Sequence, residues 1–430
     1  MPGLRFRVWL LVMAGVCACY ARAGTVAVSG RSVTVDGQPF LMKGVCYAPN
    51  PIGHSGEQAP NGDFFTTDWR AVYARDLPLM RDMGVNCVRV YGWSPTANHD
   101  DFLDLAWNRG HRPIHVLINR WVDPGTDWNS PDAVSALRGD WAGIATNAMH
   151  HPATLGYVIG NELNGAVWNP SLGSLWTGLN AVAGEIRRHD TNHLVTTALS
   201  DNGLIGTIAA WNAGMTNFNA WCVQVYRGDS FKTLFTDYAA ASGKPLFVTE
   251  FGLDAYDART GGEYSDNAAV QGAWLLKLWN ELAANSPVAS GGAVFEWCDE
   301  WWKAGNSSLH NAGGWANGAF PDGQADEEWW GLHRVAAGSP NVLSPRAAYE
   351  VLRGEWWVAS PAATLAIDRI AGTAAPRIGV NGPPGFAQVL EVSDTLKTWT
   401  ALRTNAAPFV WMDTNAPGTG RRFFRALALP

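Results

Sequence analysis

Between residues 40 and 357 the chain keeps changing its hydrophobic period. Apolar runs of strand length alternate with segments whose apolar residues recur every three or four positions. The runs are "FLMKGVCYAP" (40–49), "NCVRVYG" (86–92), "RPIHVLINR" (112–120), "TLGYVIGNE" (154–162), "HLVTTALS" (193–200), "AWCVQVYR" (220–227), "KPLFVTEFG" (244–252) and "GGAVFEWCDE" (291–300). Near-continuous apolar strands are covered on both faces, which implies a parallel sheet. Helical spacing occupies 68–84, 97–110, 132–149, 172–189, 230–242, 265–285 and 345–357, and a looser segment fills 202–213. Eight strands in this alternation predict a closed (β/α)8 TIM barrel. An open doubly wound sheet would want a Gly-rich phosphate loop after the first strand, and "GVCYAPNPIG" is not one.

The flanks read differently. Arg5 and Arg7 precede "VWLLVMAGVCAC", and "ARA" (21–23) offers a cleavage site, so residues 1–23 are expected to be a signal peptide cut after Ala23. That implies a secreted or periplasmic protein. A lipid-bearing Cys19 fits less well, because "VCA" is a poor small-residue box. No later run reaches 18 apolar residues, so no membrane-spanning segment is expected in the mature chain. "VAVSGRSVTVDGQPF" reads as a short N-terminal β-hairpin opening a catalytic domain over 24–358. "ASPAAT" (359–364) reads as a linker. Residues 365–430 are short strands between Gly, Pro and Asn turns, expected to form a small C-terminal all-β sandwich with an accessory role. Cys46, Cys87, Cys222 and Cys298 fall in or beside strands and lack C-x-x-C spacing; they are expected to be buried thiols or to include one disulfide.

The formal net charge is −7 and no Lys/Arg run occurs, which argues against a nucleic-acid partner. The 23 Trp exceed what a core alone explains and suggest stacking platforms for ring-shaped ligands, of which sugars are the commonest outside the cell. In a barrel of this kind, chemistry sits where strands end and βα loops begin. The second strand ends with Arg89 and Tyr91, the third with Asn119, the fourth with Asn161 and Glu162, the sixth with Tyr226, the seventh with Glu250 and the eighth with Glu296 and Trp297, followed by Asp299 and Glu300. A lone Glu at a strand end is usually a solvated residue, a lone Arg an ion pair and a lone Trp core. Together these residues fit glycoside cleavage, which needs two carboxyl groups flanking one bond. Tyr226 is placed to hydrogen-bond one carboxylate, Arg89 to keep it ionised, Asn161 to hold a sugar hydroxyl and Trp297 to form the floor of the site. Asn119 and Tyr91 complete the expected substrate-binding set. The scattered His54, His99, His115 and His310 read as core or subsite residues. Neither metal nor cofactor is expected.

"IGNELN" (159–164) together with "LFVTEFG" (246–252) resembles the large clan of retaining (β/α)8 glycosidases. "VTVDGQPFLMKGVCYAP", "RDLPLMRDMGVNCVRVYGWSPTANHDDFLDLAWNRG" and "GGAVFEWCDEWWKAGN" are similar to the catalytic barrel of glycoside hydrolase family 2 and to the fungal β-1,3-glucanosyltransferases. The resemblance implies that Glu162 is the acid/base, that Glu250 is the nucleophile and that Asn161 binds the hydroxyl next to the anomeric carbon. It implies a hydrolase of β-linked poly- or oligosaccharides, β-glucan favoured, working by double displacement. A glucanosyltransferase using the same glutamates and a non-catalytic carbohydrate-binding barrel are the alternatives. The 365–430 module differs from the Cys-rich module of the fungal enzymes and resembles β modules appended to exported bacterial proteins.

Overall fold

The computed structural model describes residues 24–56, 62–165 and 172–356, and in the tail 364–369, 376–381, 387–395, 399–406, 408–413 and 422–428. The expected signal peptide, its cleavage site and nearly all of the 359–364 linker lie outside the described residues.

Eight parallel strands close into a barrel in chain order: β1 (Met42–Cys46), β2 (Cys87–Arg89), β3 (His115–Arg120), β4 (Thr154–Asn161), β5 (Leu194–Leu199), β6 (Trp221–Gln224), β7 (Leu246–Phe251) and β8 (Ala289–Val294), with β8 pairing back onto β1. Around them run α1 (Arg70–Met83), α2 (Asp100–Trp107), α3 (Pro131–Ala148), α4 (Leu172–His189), α5 (Leu204–Trp211), α6 (Leu234–Ala241), α7 (Ala273–Ala284) and α8 (Ala347–Trp356). Local chemistry sets several of the ends. α1 stops at Gly84, whose φ of 94° suits a left-handed cap. α3 starts with Pro131 behind Ser130, whose side chain accepts from the Ala133 amide.

The looser segment 202–213 is in fact α5. Its sequence, LIGTIAAW, is apolar or small almost throughout, so it has no polar face to mark a helical period. The stretch expected as a long loop after β8 carries two hairpins, Gly314–Ala316 with Gln324–Asp326 and His333–Ala336 with Val342–Pro345.

Alternation along the strands separates two cores. Val45, Val88, Val116, Ile118, Val195 and Val223 face the helices. Met42, Cys46, Cys87, Leu117, Leu194 and Cys222 fill the barrel interior. A three-stranded N-terminal sheet (Val26–Ser29, Ser32–Val35, Gln38–Pro39) joins the inner cluster through Val26, Val33 and Val35 and closes the barrel at the N-terminal ends of its strands. The opposite end is left to the site. All four cysteines of the barrel region are buried and unpaired. In the tail, two three-stranded antiparallel sheets share a small core of Ile378, Val380, Leu390 and Phe409. No helix among the described residues is long and apolar enough to cross a membrane.

β8 can lie between its neighbours only because it carries Gly291 and Gly292. A Cβ on Gly291, whose φ is +103°, would sit 2.3 Å from the Met42 backbone, and one on Gly292 would sit 2.5 Å from the Val248 carbonyl. Gly291→Ala should therefore lower the unfolding free energy by on the order of 3 kcal/mol in denaturant titrations. Gly206→Ala on α5, where a Cβ meets nothing within 4 Å, should be neutral or stabilising. Equal midpoints for the two variants would contradict this account of the β8 seam.

Candidate active site

The chain leaves β4 through a tight bend. Gly160 and Glu162 have φ of 69° and 53°, and a left-handed Glu is uncommon enough to need fixing from outside. The Glu162 amide donates to the Ala198 carbonyl (2.9 Å). Asn164 clamps the following residues to the end of β5: its Oδ1 accepts from the Ser200 amide (2.9 Å) and its Nδ2 donates to the Ser200 carbonyl (3.1 Å). The Asn-Glu-Leu-Asn sequence is thus both bend and clamp, and it brings Glu162 to the barrel mouth.

Glu250 lies near the end of β7 with its carboxylate surrounded by donors. Oε1 accepts from Arg89 Nη1 (2.7 Å), the Tyr91 hydroxyl (2.6 Å) and Gln224 Nε2 (2.6 Å), and Oε2 from the Tyr226 hydroxyl (3.0 Å). An ionised carboxylate, an acceptor only, can satisfy all four. Burial and the Glu250 charge push the Tyr226 hydroxyl well above its ordinary range, so it stays a donor at neutral pH. Asn161 Oδ1 accepts from Arg89 Nη2 (2.5 Å) and Gln224 Nε2 (2.6 Å), which aims its amide nitrogen away from that network.

Glu162 stands in a different setting. Among the described residues no donor holds its carboxylate. Burial first, then the negative charge of Glu250, raise its pKa to about 7, with Arg89 pulling the other way. Both glutamates line one cavity of about 720 Å³, with Tyr91, Asn161, Tyr226, Phe295 and the indoles of Trp121, Trp302, Trp315 and Trp330. Glu300 and Glu327 also line it, and Lys303 is its one cation among the described residues. One carboxyl poised to give and take a proton and one held in place by four donors, facing a shared apolar-walled space, are the parts that acid-assisted nucleophilic displacement needs.

Three expected substrate contacts are corrected. Trp297 is fully buried and packs on His333, ring centroids 4.3 Å apart; it does not reach the cavity. β8 ends at Val294, so strand alternation no longer governs where residue 297 points. Asn119 and Arg89 are also fully buried behind the cavity. Asn119 spends its amide on the Val158 and Gly160 carbonyls and on Arg89, and Arg89 spends its guanidinium on Glu250, Asn119, Asn161 and the Thr249 carbonyl, which puts it beside the Glu250 carboxylate as expected but not in the cavity. The strand-tip rule missed Gln224, although a lone amide inside "WCVQV" was a visible anomaly. The four scattered histidines do not line the cavity; His99 stacks on Trp93 at 3.8 Å and His310 on Trp329 at 3.5 Å.

No protein-family model matches the chain. Curated relatives include the 1,3-beta-glucanosyltransferase GAS4 of Saccharomyces cerevisiae, 25% identical over 275 residues that cover 57% of this chain and 55% of the relative. Another, gel2 of Aspergillus fumigatus, is 23% identical over 323 residues, 68% of this chain and 62% of the relative. The chain spans about half the length of the curated relatives it matches. Among solved structures, a β-glucuronidase from Ruminococcus gnavus superposes with a TM-score of 0.56 at 14% identity, over 78% of this chain and 53% of the other. A family 2 β-galacturonidase from Eisenbergiella tayi gives 0.54 at 16%, over 77% and 54%. At that identity the likeness is one of fold. Both relationships expected from the longer sequence blocks, to the glucanosyltransferases in sequence and to the family 2 barrel in fold, are met.

The pairing of the glutamates has a direct readout. In protein labelled with carbon-13 at glutamate carboxyls, the Glu162 resonance should titrate near pH 7. In Glu250→Gln it should titrate at lower pH, because a negative neighbour has gone. A midpoint that does not move would mean the two carboxyls do not sense each other.

Proposed function

We propose that the chain is a secreted or periplasmic retaining glycoside hydrolase acting on a β-linked glucan. One observation carries this reading: two glutamates line one cavity, one proton-poised and the other held by four donors. Glu250 attacks the anomeric carbon while Glu162 protonates the leaving oxygen. Once the glycosyl group neutralises Glu250, one of the causes that raised Glu162 is gone, and Glu162 can serve as base toward water. The Asn161 amide nitrogen, kept free by the bonds to its oxygen, holds the hydroxyl beside the reacting carbon. Retention by this route requires the two carboxyl groups to stand about 5 Å apart. Four carboxylates against one lysine on the cavity wall suit a neutral sugar better than a uronic acid. Glucan also agrees with the printed names of the sequence relatives. The 365–430 module is an accessory unit, so its removal should leave turnover of a small soluble substrate intact.

One observation favours transfer as a second outcome of the same intermediate. Trp121 (47% exposed) and Trp315 (39% exposed) are the exposed tryptophans among the described residues, and both line this cavity. Trp121 follows β3, whereas Trp315 packs edge-on against Tyr226 beyond β6. Indoles presented by separate elements, the end of β3 and the first hairpin after β8, give a polymer room to stack on both sides of the cleaved bond and let an acceptor sugar compete with water.

Two experiments test the assignment. On glucan, kcat/KM should fall roughly tenfold per pH unit above about pH 7 as Glu162 loses its proton, while an activated aryl glycoside, needing no proton, should lack that basic limb. Glu162→Ala should still be glycosylated by the aryl substrate and be released by azide with retention, whereas Glu250→Ala with azide should give inverted product. Rescue by the aryl substrate of Glu250→Ala alone would reverse the roles of the two residues.

A further inference from the structure

A second polar cluster lies on the wall of the same cavity, on the side formed by the loops after β1 and β8. Glu300 is its centre, 2% exposed. Oε1 accepts from Asn50 Nδ2 (2.6 Å) and Trp302 Nε1 (3.0 Å), and Oε2 from Lys303 Nζ (2.6 Å). All four residues line the cavity. Asn50 Nδ2 also donates to the Ala48 carbonyl (3.1 Å). Both neighbours of that nitrogen are acceptors, which fixes the amide's orientation. Its carbonyl oxygen is then left buried with no hydrogen-bond partner. A buried acceptor beside a ligand cavity is normally satisfied by what the cavity holds.

The donors point the same way. An ammonium has three N–H groups, and Glu300 takes one of those on Lys303. The Lys303 nitrogen sits 4.3 Å from the centroid of the Phe295 ring, which seats it at the wall. Phe295 in turn packs edge-on against Tyr91 and Tyr226, the two hydroxyls that hold Glu250. One aromatic ring therefore separates this cluster from the nucleophile's surroundings. Trp302 adds an indole face, and a Cβ at Gly56 would lie 3.2 Å from its ring, so the opposite loop closes against it.

We infer that Asn50, Glu300, Trp302 and Lys303 form a subsite that reads the hydroxyls of a neutral pyranose beside Glu250. This rests on the glycosidase reading given above. A sugar hydroxyl both donates and accepts. A pair of adjacent hydroxyls is matched by an acceptor and a donor side by side, here the Asn50 and Glu300 oxygens next to the Lys303 ammonium. Lys303 lies 2.6 Å from Glu300 Oε2 and 3.9 Å from Glu327 Oε2, so this wall offers no excess positive charge to an anionic sugar and suits an uncharged ring, and the Trp302 face takes its C–H surface.

Calorimetric titration of the full chain carrying Glu250→Gln, with β-1,3-, β-1,4- and β-1,6-linked glucose tetrasaccharides, tests this. At least one should bind. Adding Asn50→Ala or Lys303→Met should weaken that binding at least tenfold with an unchanged melting temperature. Trp302→Phe, which keeps a ring and loses the N–H, should weaken it less than Trp302→Ala. If Lys303→Met melts early, Trp302→Ala, which leaves the Glu300–Lys303 pair in place, supplies the same tenfold readout. Variants that bind within twofold of the Glu250→Gln parent overturn the subsite and leave the functional reading standing. A parent that binds none of the three overturns both.

Discussion

A guanidinium without access to water organises the mouth of this barrel. Arg89 closes β2 and is wholly buried, so its charge must be met by protein. It is met from three other strands: Glu250 and the Thr249 carbonyl on β7, Asn119 on β3 and Asn161 on β4. Its guanidinium also lies 4.4 Å above the Tyr91 ring. Removing one partner of a buried ion pair leaves an uncompensated charge, at a cost of roughly 3–5 kcal/mol. Glu250 is therefore a structural counter-ion as well as the proposed nucleophile. Its position is determined by bonds the fold must make whether or not substrate is present.

The same interaction explains why two residues of one type behave differently. Glu250 is anchored to a cation and three neutral donors. Glu162 sits across the cavity on a bend held only through its backbone and through Asn164, and it feels Glu250 as a negative neighbour. The raised proton affinity of Glu162 comes from where each strand ends. It needs no special residue, only strand tips close enough for one carboxylate to sense the other.

The alternation of apolar runs and helical spacing made the barrel legible, because parallel strands covered on both faces leave a signature that few other folds share. The paired glutamates were legible for a related reason: polar residues at the ends of buried strands stand out. α5 was hidden because a short, uniformly apolar helix has no polar stripe. Trp297 lies three residues past the end of β8, where strand parity no longer says which way a side chain points. Gln224 carries no ionisable group to mark it, although a carboxylate is positioned by amides as readily as by charges. Asn50 and Lys303 became meaningful only when the loops after β1 and β8 came together in space.

The cysteines lead somewhere else. Cys46, Cys87, Cys222 and Cys298 are sealed inside, and burial raises the pKa of every one of these thiols, that of Cys222 to about 12. Thiolate is the reactive species, so in the folded barrel these sulfurs are chemically silent. Opening of the barrel would change that at once. The rate at which an alkylating reagent labels them then becomes a clock for how often the whole barrel breathes apart, supplied by the protein's own side chains.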